Sequence, residues 1–529
     1  MPQMDPVEAF CILKEGIMFT ILKRVTAFIA LLSFLACSNS DESNSKEDPS
    51  GGFEEDQGWE FGLEGKKDIR SLRFLHANGE PLFGARVKIG YQFDSQGKKH
   101  LLDEMITDEN GYAAIPKSWM TQQPLTVFSS STILTTVHHV LPEAQEFFVD
   151  PKQNDVDTQV SGVTSGYGQL KKDGKVDFSM VIPTLNKKDL IHFDMSRFVS
   201  NQTDRLDLPM GRKMDVPSNV VFPKQKEKYF FFTITFDKPL YRSYLRFFGS
   251  QNFVALHGQF ELSKVADAGS GGGNLFDMIN YFNFLSGGHK SMQIVGDTPN
   301  QNIAIDQWQL NQSVAVTAPK YPGNQIMVLA SMLEKEGEFY PTDIKTVESG
   351  DQGEVKLANI PGFQPQYLAI LKQKDNLILK DADLHKAIRN LKQSHGGLSL
   401  NQMSLNIDTI ESLSAHPRFL PLVEAPIVQN SEIRLTPPGL MPGVRPLQTL
   451  LVYAKIEQFE INGQTTERKT RLWVHEVNGW VDSIRLPDVS LPQEPNTQYR
   501  WEVIFTGGDD ESTQNISQVK YITKNAVDL

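Results

Sequence analysis

Period-two alternation of apolar and polar residues, cut every few positions by Gly, Asn-Gly or Asp-Gly, runs through this chain from about residue 58 onward. That pattern leaves little room for anything but antiparallel β-sheet. Leu72, Phe74, Val87 and Ile89 alternate with polar neighbours as half-buried strands require, and Asn78-Gly79, Asn110-Gly111 and Asp173-Gly174 accept the positive φ of tight turns. KYFFFTITF, residues 228–236, is the strongest β segment, and QIMVLASMLEK and EVKLANIPGF carry the pattern through 325–363. A chain of 529 residues exceeds what one hydrophobic core serves. The fold class is therefore mainly β, a tandem of antiparallel β-sandwich domains.

Two segments break the period. AGSGGGNLFDMINYFNFLSGG sets a helical stripe between glycine clusters, and the spacing predicts a helix over 274–286 with Asn274 as N-cap. Leu275, Phe276, Ile279, Phe282 and Phe284 lie on it, either as core or as a mobile cap that meets a partner. DADLHKAIRNLKQS, residues 381–394, carries a second, shorter amphipathic pattern. The sandwiches thus have one or two short helical insertions.

The beginning of the chain addresses location. Lys23 and Arg24 precede the apolar run Val25 to Leu35, and Ala36 stands against Cys37. This is the layout of a secretion signal, with a core too short for a spanning helix. Phe34-Leu35-Ala36-Cys37 resembles a bacterial lipoprotein signal, which implies cleavage before Cys37 and acylation of that cysteine, with membrane contact through the lipid. Residues 1–17 are acidic where a signal is basic, so Met18 is the expected start, 1–17 an untranslated leader and 18–36 the signal peptide. Loss of 1–36 removes equal numbers of acidic and basic residues and leaves the net charge at -12. Residues 37–57 are acidic and nearly devoid of large apolar side chains, which makes them a disordered tether. Ser38 is not the Asp that favours inner-membrane retention in the enterobacterial lipoproteins this signal resembles. The expected location is the outer membrane, facing the periplasm or the surface.

Four folded units are expected at 58–156, 157–314, 315–424 and 425–529. In the first, Asn78-Gly79-Glu80-Pro81, Gly84-Ala85-Arg86-Val87 and Thr107-Asp108-Glu109-Asn110-Gly111-Tyr112 resemble the carboxypeptidase regulatory-like, transthyretin-like sandwich. In the last, Leu491-Pro492, Asn496-Thr497 and Tyr499-Arg500-Trp501-Glu502-Val503 resemble a fibronectin type III or other Ig-like sandwich. That resemblance implies that Tyr499, Trp501 and Val503 face the core and that the Tyr499 hydroxyl caps a backbone group. The middle units resemble no family.

A net charge of -12 argues against nucleic acid as partner. Cys11 and Cys37 are the only cysteines, so neither a disulfide framework nor a cysteine zinc site is expected. His138-His139 lie side by side on a strand and point apart, which favours a structural role over metal. No catalytic motif, metal or cofactor signature stands out, and the chain reads as a non-catalytic binding or structural module for an envelope protein or glycan. A glycan platform needs exposed coplanar aromatics, for which Trp308, Tyr241 and Tyr244 are the candidates. The alternative is an envelope hydrolase, directed at glycan or protein, with its residues dispersed in the middle region.

Overall fold

The computed structural model describes residues 71–373 and 402–529, apart from 78, 91–102, 153–156, 171–173, 193–201, 208–212, 230–231, 247, 265–279, 324, 411–413, 430, 462–463, 488–493, 496 and 510–517. The described chain is mainly β-sheet, with a short helix at Lys187–His192 and a further helical turn at 262–264. A 13-stranded sheet runs through the molecule from Leu185–Asn186 at one edge to Asp103–Ile106 at the other. Most pairings are antiparallel. The exception that matters for the whole chain is the strand Gln464–Asn478, which pairs parallel with Leu134–Val140 and so joins the last unit to the first.

Alternation along each strand assigns its two faces to different cores. In Gln325–Lys335, Ile326, Val328 and Met332 enter the largest core, while Met327 and Leu329 enter a separate one behind the sheet. The largest core lies between the 13-stranded sheet and a six-stranded sheet built around Lys175–Pro183, Gly249–Glu261 and Phe282–Ile294. Residues on both sides of the expected 314/315 boundary contribute to it. Its lining is apolar and large, and each such side chain contributes about 1.5–3 kcal/mol on burial. The six-stranded sheet is covered on its other face too, where Val181, Phe253 and Ala255 meet Val160, Tyr241 and Ile303.

The first unit has a core of its own. Leu72, Phe74, Val87 and Ile89 all point into it, as their alternation requires. The turn before Tyr112 is held by Asp108, whose carboxylate accepts from the backbone N–H of Asn110 at 2.9 Å and of Tyr112 at 2.8 Å. Gly111 has φ +78°, and a Cβ there would stand 2.3 Å from the Phe74 carbonyl oxygen, so the position excludes other residues. In the last unit Tyr499, Trp501 and Val503 are buried together. The Tyr499 hydroxyl accepts from the Glu494 backbone N–H at 2.8 Å, five residues upstream, and so fixes the strand corner.

Two expectations are corrected. The stripe assigned to a helix over 274–286 is extended from Phe282 onward: Phe282–Ile294 is a 13-residue strand paired along Gly249–Glu261. Phe282 and Phe284 are buried and Asn283 is exposed, a period of two that the neighbouring aromatics disguised as a wider helical face. Leu275, Phe276 and Ile279 lie outside the described residues, as does the 381–394 segment. KYFFFTITF is not one strand either. Tyr229 pairs with Phe232, so Val220–Tyr229 and Phe232–Lys238 form a hairpin that carries no Gly or Asn to announce it.

Candidate functional site

The aromatic residues proposed for glycan contact do not form a platform. Tyr241 is fully buried, with its hydroxyl donating to the Gln301 carbonyl oxygen. Trp308 is buried against Gly287, where a Cβ would come within 2.7 Å of the indole nitrogen. Tyr244 is half-buried, and its hydroxyl donates to Gln159 Oε1 at 3.1 Å. Tyr241 and Tyr244 are three apart on the strand Leu240–Leu245 and so face opposite ways. Phe282 and Phe284 sit in the central core, packed on Phe178. Cys37 lies outside the described residues.

The sheets instead assemble two groups of chemistry-bearing side chains that no local motif announces. The first is Asp177, His257 and Ser286, one from each of three adjacent strands of the six-stranded sheet. His257 Nε2 lies 2.9 Å from Asp177 Oδ1 and Nδ1 lies 3.3 Å from Ser286 Oγ. With its proton on Nε2, the imidazole donates to the carboxylate and accepts from the hydroxyl, the polarity of a hydrolytic triad. Gln259 Nε2 donates to the same carboxylate oxygen at 2.8 Å, and Asp177 Oδ2 has no hydrogen-bond partner. The Tyr167 ring stands edge-on to His257 at 5.2 Å, and its hydroxyl, pushed up to about 12 by burial, lies 2.7 Å from Ser179 Oγ and 2.6 Å from Thr164 Oγ1.

Access decides what this group can do. Asp177, His257 and Ser286 are 1%, 6% and 3% exposed. Ser286 is mid-strand, and the next residue, Gly287, is flanked by Leu256 on one side and Trp308 on the other. An acyl group has no approach to Ser286 Oγ in this arrangement, and the group is a buried polar layer on the sheet face that carries Val181, Phe253 and Ala255. Sequence separations of 80 and 29 residues explain why no motif betrays it.

The second group lines the parallel seam between the first and last units. Trp473 pairs with Leu134, Val474 with Thr135, His475 with Thr136 and Glu476 with Val137. Trp473 Nε1 donates to Thr136 Oγ1 at 2.9 Å, and Thr136 in turn shares a hydrogen bond with Thr126 at 3.0 Å. His138 Nε2 and His475 Nδ1 are 3.0 Å apart and share one proton. His138, not its neighbour His139, is thus half of the histidine pair. A register shift along Leu134–Val140, with His139 at φ 57°, turns His138 into the seam. Burial pushes His138 down to about 3, and burial together with His138 pushes His475 well below the ordinary imidazole range. Beside the seam, Asp150 accepts from Lys188 Nζ at 2.6 Å and Arg471 at 3.0 Å, with His192 at 3.8 Å. Burial alone would raise the Asp150 carboxyl, but Arg471, Lys188 and His192 outweigh it and hold the group well below the usual carboxylate range. Among the described residues, no three His, Cys, Asp or Glu side chains are placed to hold a metal ion.

No protein-family model matches the chain, and no curated protein matches it. Among solved structures it is similar to the Bacillus anthracis TIE protein, at 9% identity and a TM-score of 0.16, over 58% of this chain and 45% of that one. A streptococcal ancillary pilin matches at 12% identity and a TM-score of 0.14, over 57% of this chain and 89% of its own. BcpA, the major pilin subunit of Bacillus cereus, matches at 11% identity and a TM-score of 0.15, over 58% and 87%. At these TM-scores the similarity carries no functional argument.

Proposed function

We propose that this chain is a non-catalytic scaffold of the bacterial envelope, held to the outer membrane by an acylated Cys37 and carrying rigid β-sandwiches that bind an envelope protein or glycan. The observation that supports it is where the chemistry lies. The Asp177–His257–Ser286 group, the His138–His475 pair and the Asp150 cluster are all internal and tie strand to strand. The anchor rests on Phe34-Leu35-Ala36-Cys37 and the acidic tether after it. At about 5–6 Å times the square root of the residue number, that tether sets the folded part roughly 25 Å from the bilayer. Cells fed an alkyne-labelled fatty acid are expected to label the protein at Cys37, and Cys37→Ser is expected to abolish the label and detergent partitioning. An unlabelled, soluble wild-type protein would remove the anchor from this reading.

A second reading, an envelope hydrolase, has one observation in its favour: the distances and polarity of Asp177, His257 and Ser286. A fluorophosphonate probe separates the two. Attack by Ser286 Oγ forms the O–P bond, fluoride leaves, and His257 takes the hydroxyl proton. The scaffold reading expects no labelling of the folded protein above that of Ser286→Ala. Stoichiometric labelling lost in Ser286→Ala would establish the hydrolase instead.

A further inference from the structure

The first unit meets the rest of the chain at the seam, at Ile133, which is buried in the largest core, and at Asp150, which meets Lys188 and Arg471. Leu72, Phe74, Val87, Leu125 and Val127 give it a complete core of its own. Leu134–Val140 is also paired, on its other side, with Gln123–Phe128 of the same unit. The centre of the docked edge is the His138–His475 pair, which is fully buried and has one proton between its two facing nitrogens. His475 Nε2 is buried and has no hydrogen-bond partner, so an imidazolium at His475 is held without solvation. Among the described residues, no carboxylate acts on the His475 ring. Around the pair stand Thr126 from Gln123–Phe128, Thr136 and His139 from the pair's own strand, Trp473 from Gln464–Asn478, Leu451 and Tyr453 from Val444–Ile461 and Trp501 from Gln498–Asp509. Of these only His139 and Tyr453 titrate, and neither is an anion near neutrality. Glu476, with Lys188 and Asp150 near it, is on the opposite face of its strand.

We infer that this seam is an acid-released latch: protonation of the His138–His475 pair separates the first unit from the last while both remain folded. The direction follows from linkage. Both imidazoles are depressed when the seam is closed and ordinary, near 6.5, when it is open and hydrated. Closure is therefore fully favoured above about pH 6.5 and weakens as pH falls from there toward 3. At pH 5 the opening constant rises by about 30-fold through His138 relative to pH 7.5, and His475, depressed in the same direction, adds to it. Asp150, held below the usual carboxylate range, stays ionised across that interval and does not open the seam itself. The release does not depend on how the chain is anchored.

Hydrogen exchange of the full-length protein between pH 7.5 and 5.0, corrected for intrinsic rates, tests the latch. Peptides covering Leu134–Val140 and 471–478 are expected to lose protection together by more than an order of magnitude. Peptides covering Ser71–His76 and Gln325–Lys335 are expected to keep theirs. His138→Gln/His475→Gln, which leaves two uncharged partners at the same place, is expected to flatten the response. If that variant does not fold, the wild-type series still decides. Constant seam protection over this range, or equal loss in every unit, would overturn the inference.

Discussion

Trp473→Ala is expected to lower the free energy of unfolding by about 3–5 kcal/mol, the range for deleting a large buried aromatic side chain. Trp473 is 1% exposed, with its ring 4.2 Å from His475 and 6.3 Å from Trp501. The loss combines a cavity in the last unit with a missing donor to Thr136 across the seam. Trp473→Phe keeps most of the packing and removes the donor, and about 1 kcal/mol of additional instability belongs to that hydrogen bond. Urea unfolding followed by circular dichroism measures both. A cost below 1 kcal/mol for the alanine variant would mean that the last unit repacks around the gap.

Asp150→Asn is expected to cost up to about 3–5 kcal/mol, because it takes a carboxylate from the buried Arg471 guanidinium and the partly exposed Lys188 ammonium rather than merely deleting a contact. The carboxylate is 12% exposed and meets Lys188 at 2.6 Å and Arg471 at 3.0 Å, two residues far apart in the chain. Removing Arg471 as well relieves part of the uncompensated charge, so Asp150→Asn/Arg471→Gln is expected to be less destabilised than the two single losses added together. The wild-type group is depressed, so its contribution is present above about pH 3.8 and is lost as pH falls through its folded value. The Asn variant is therefore expected to lack that part of the acid dependence. Additive single and double losses in thermal melts would show that Asp150 and Arg471 do not act as a unit.

Fold class was legible because period-two alternation and positive-φ turn residues are local signals. Leu72, Phe74, Tyr499 and Trp501 could be placed by counting along a strand. Where aromatics crowded, counting failed: Phe282 and Phe284 fit a helical stripe until neighbouring Asn283 is seen to be exposed. The hairpin at Tyr229 and Phe232 also gave no warning, since its strands meet without Gly, Asn or Asp. Residue type alone singles out the glycan candidates, and residue type does not fix exposure. Tyr241 is large and bears a hydroxyl, yet a buried backbone carbonyl satisfies it. The internal polar groups were illegible for a different reason. Asp177 and His257 stand 80 residues apart, and His138 and His475 stand 337 apart, so only the strand order brings them together.

That last separation bears on how the molecule is made. The outer edge of Leu134–Val140 gains its neighbour only when 473–476 arrive. At about 5–20 residues per second, the intervening 337 residues take roughly 17–67 s to synthesise. Throughout that interval a nascent chain carries an unpaired strand edge with Leu134 and Thr136 uncovered, the kind of surface on which chains cross-pair and chaperones bind. Biogenesis is thus governed by a late closure: proteases and holdases meet a finished core beside an unfinished edge, and a truncation anywhere before residue 473 leaves that edge permanently open.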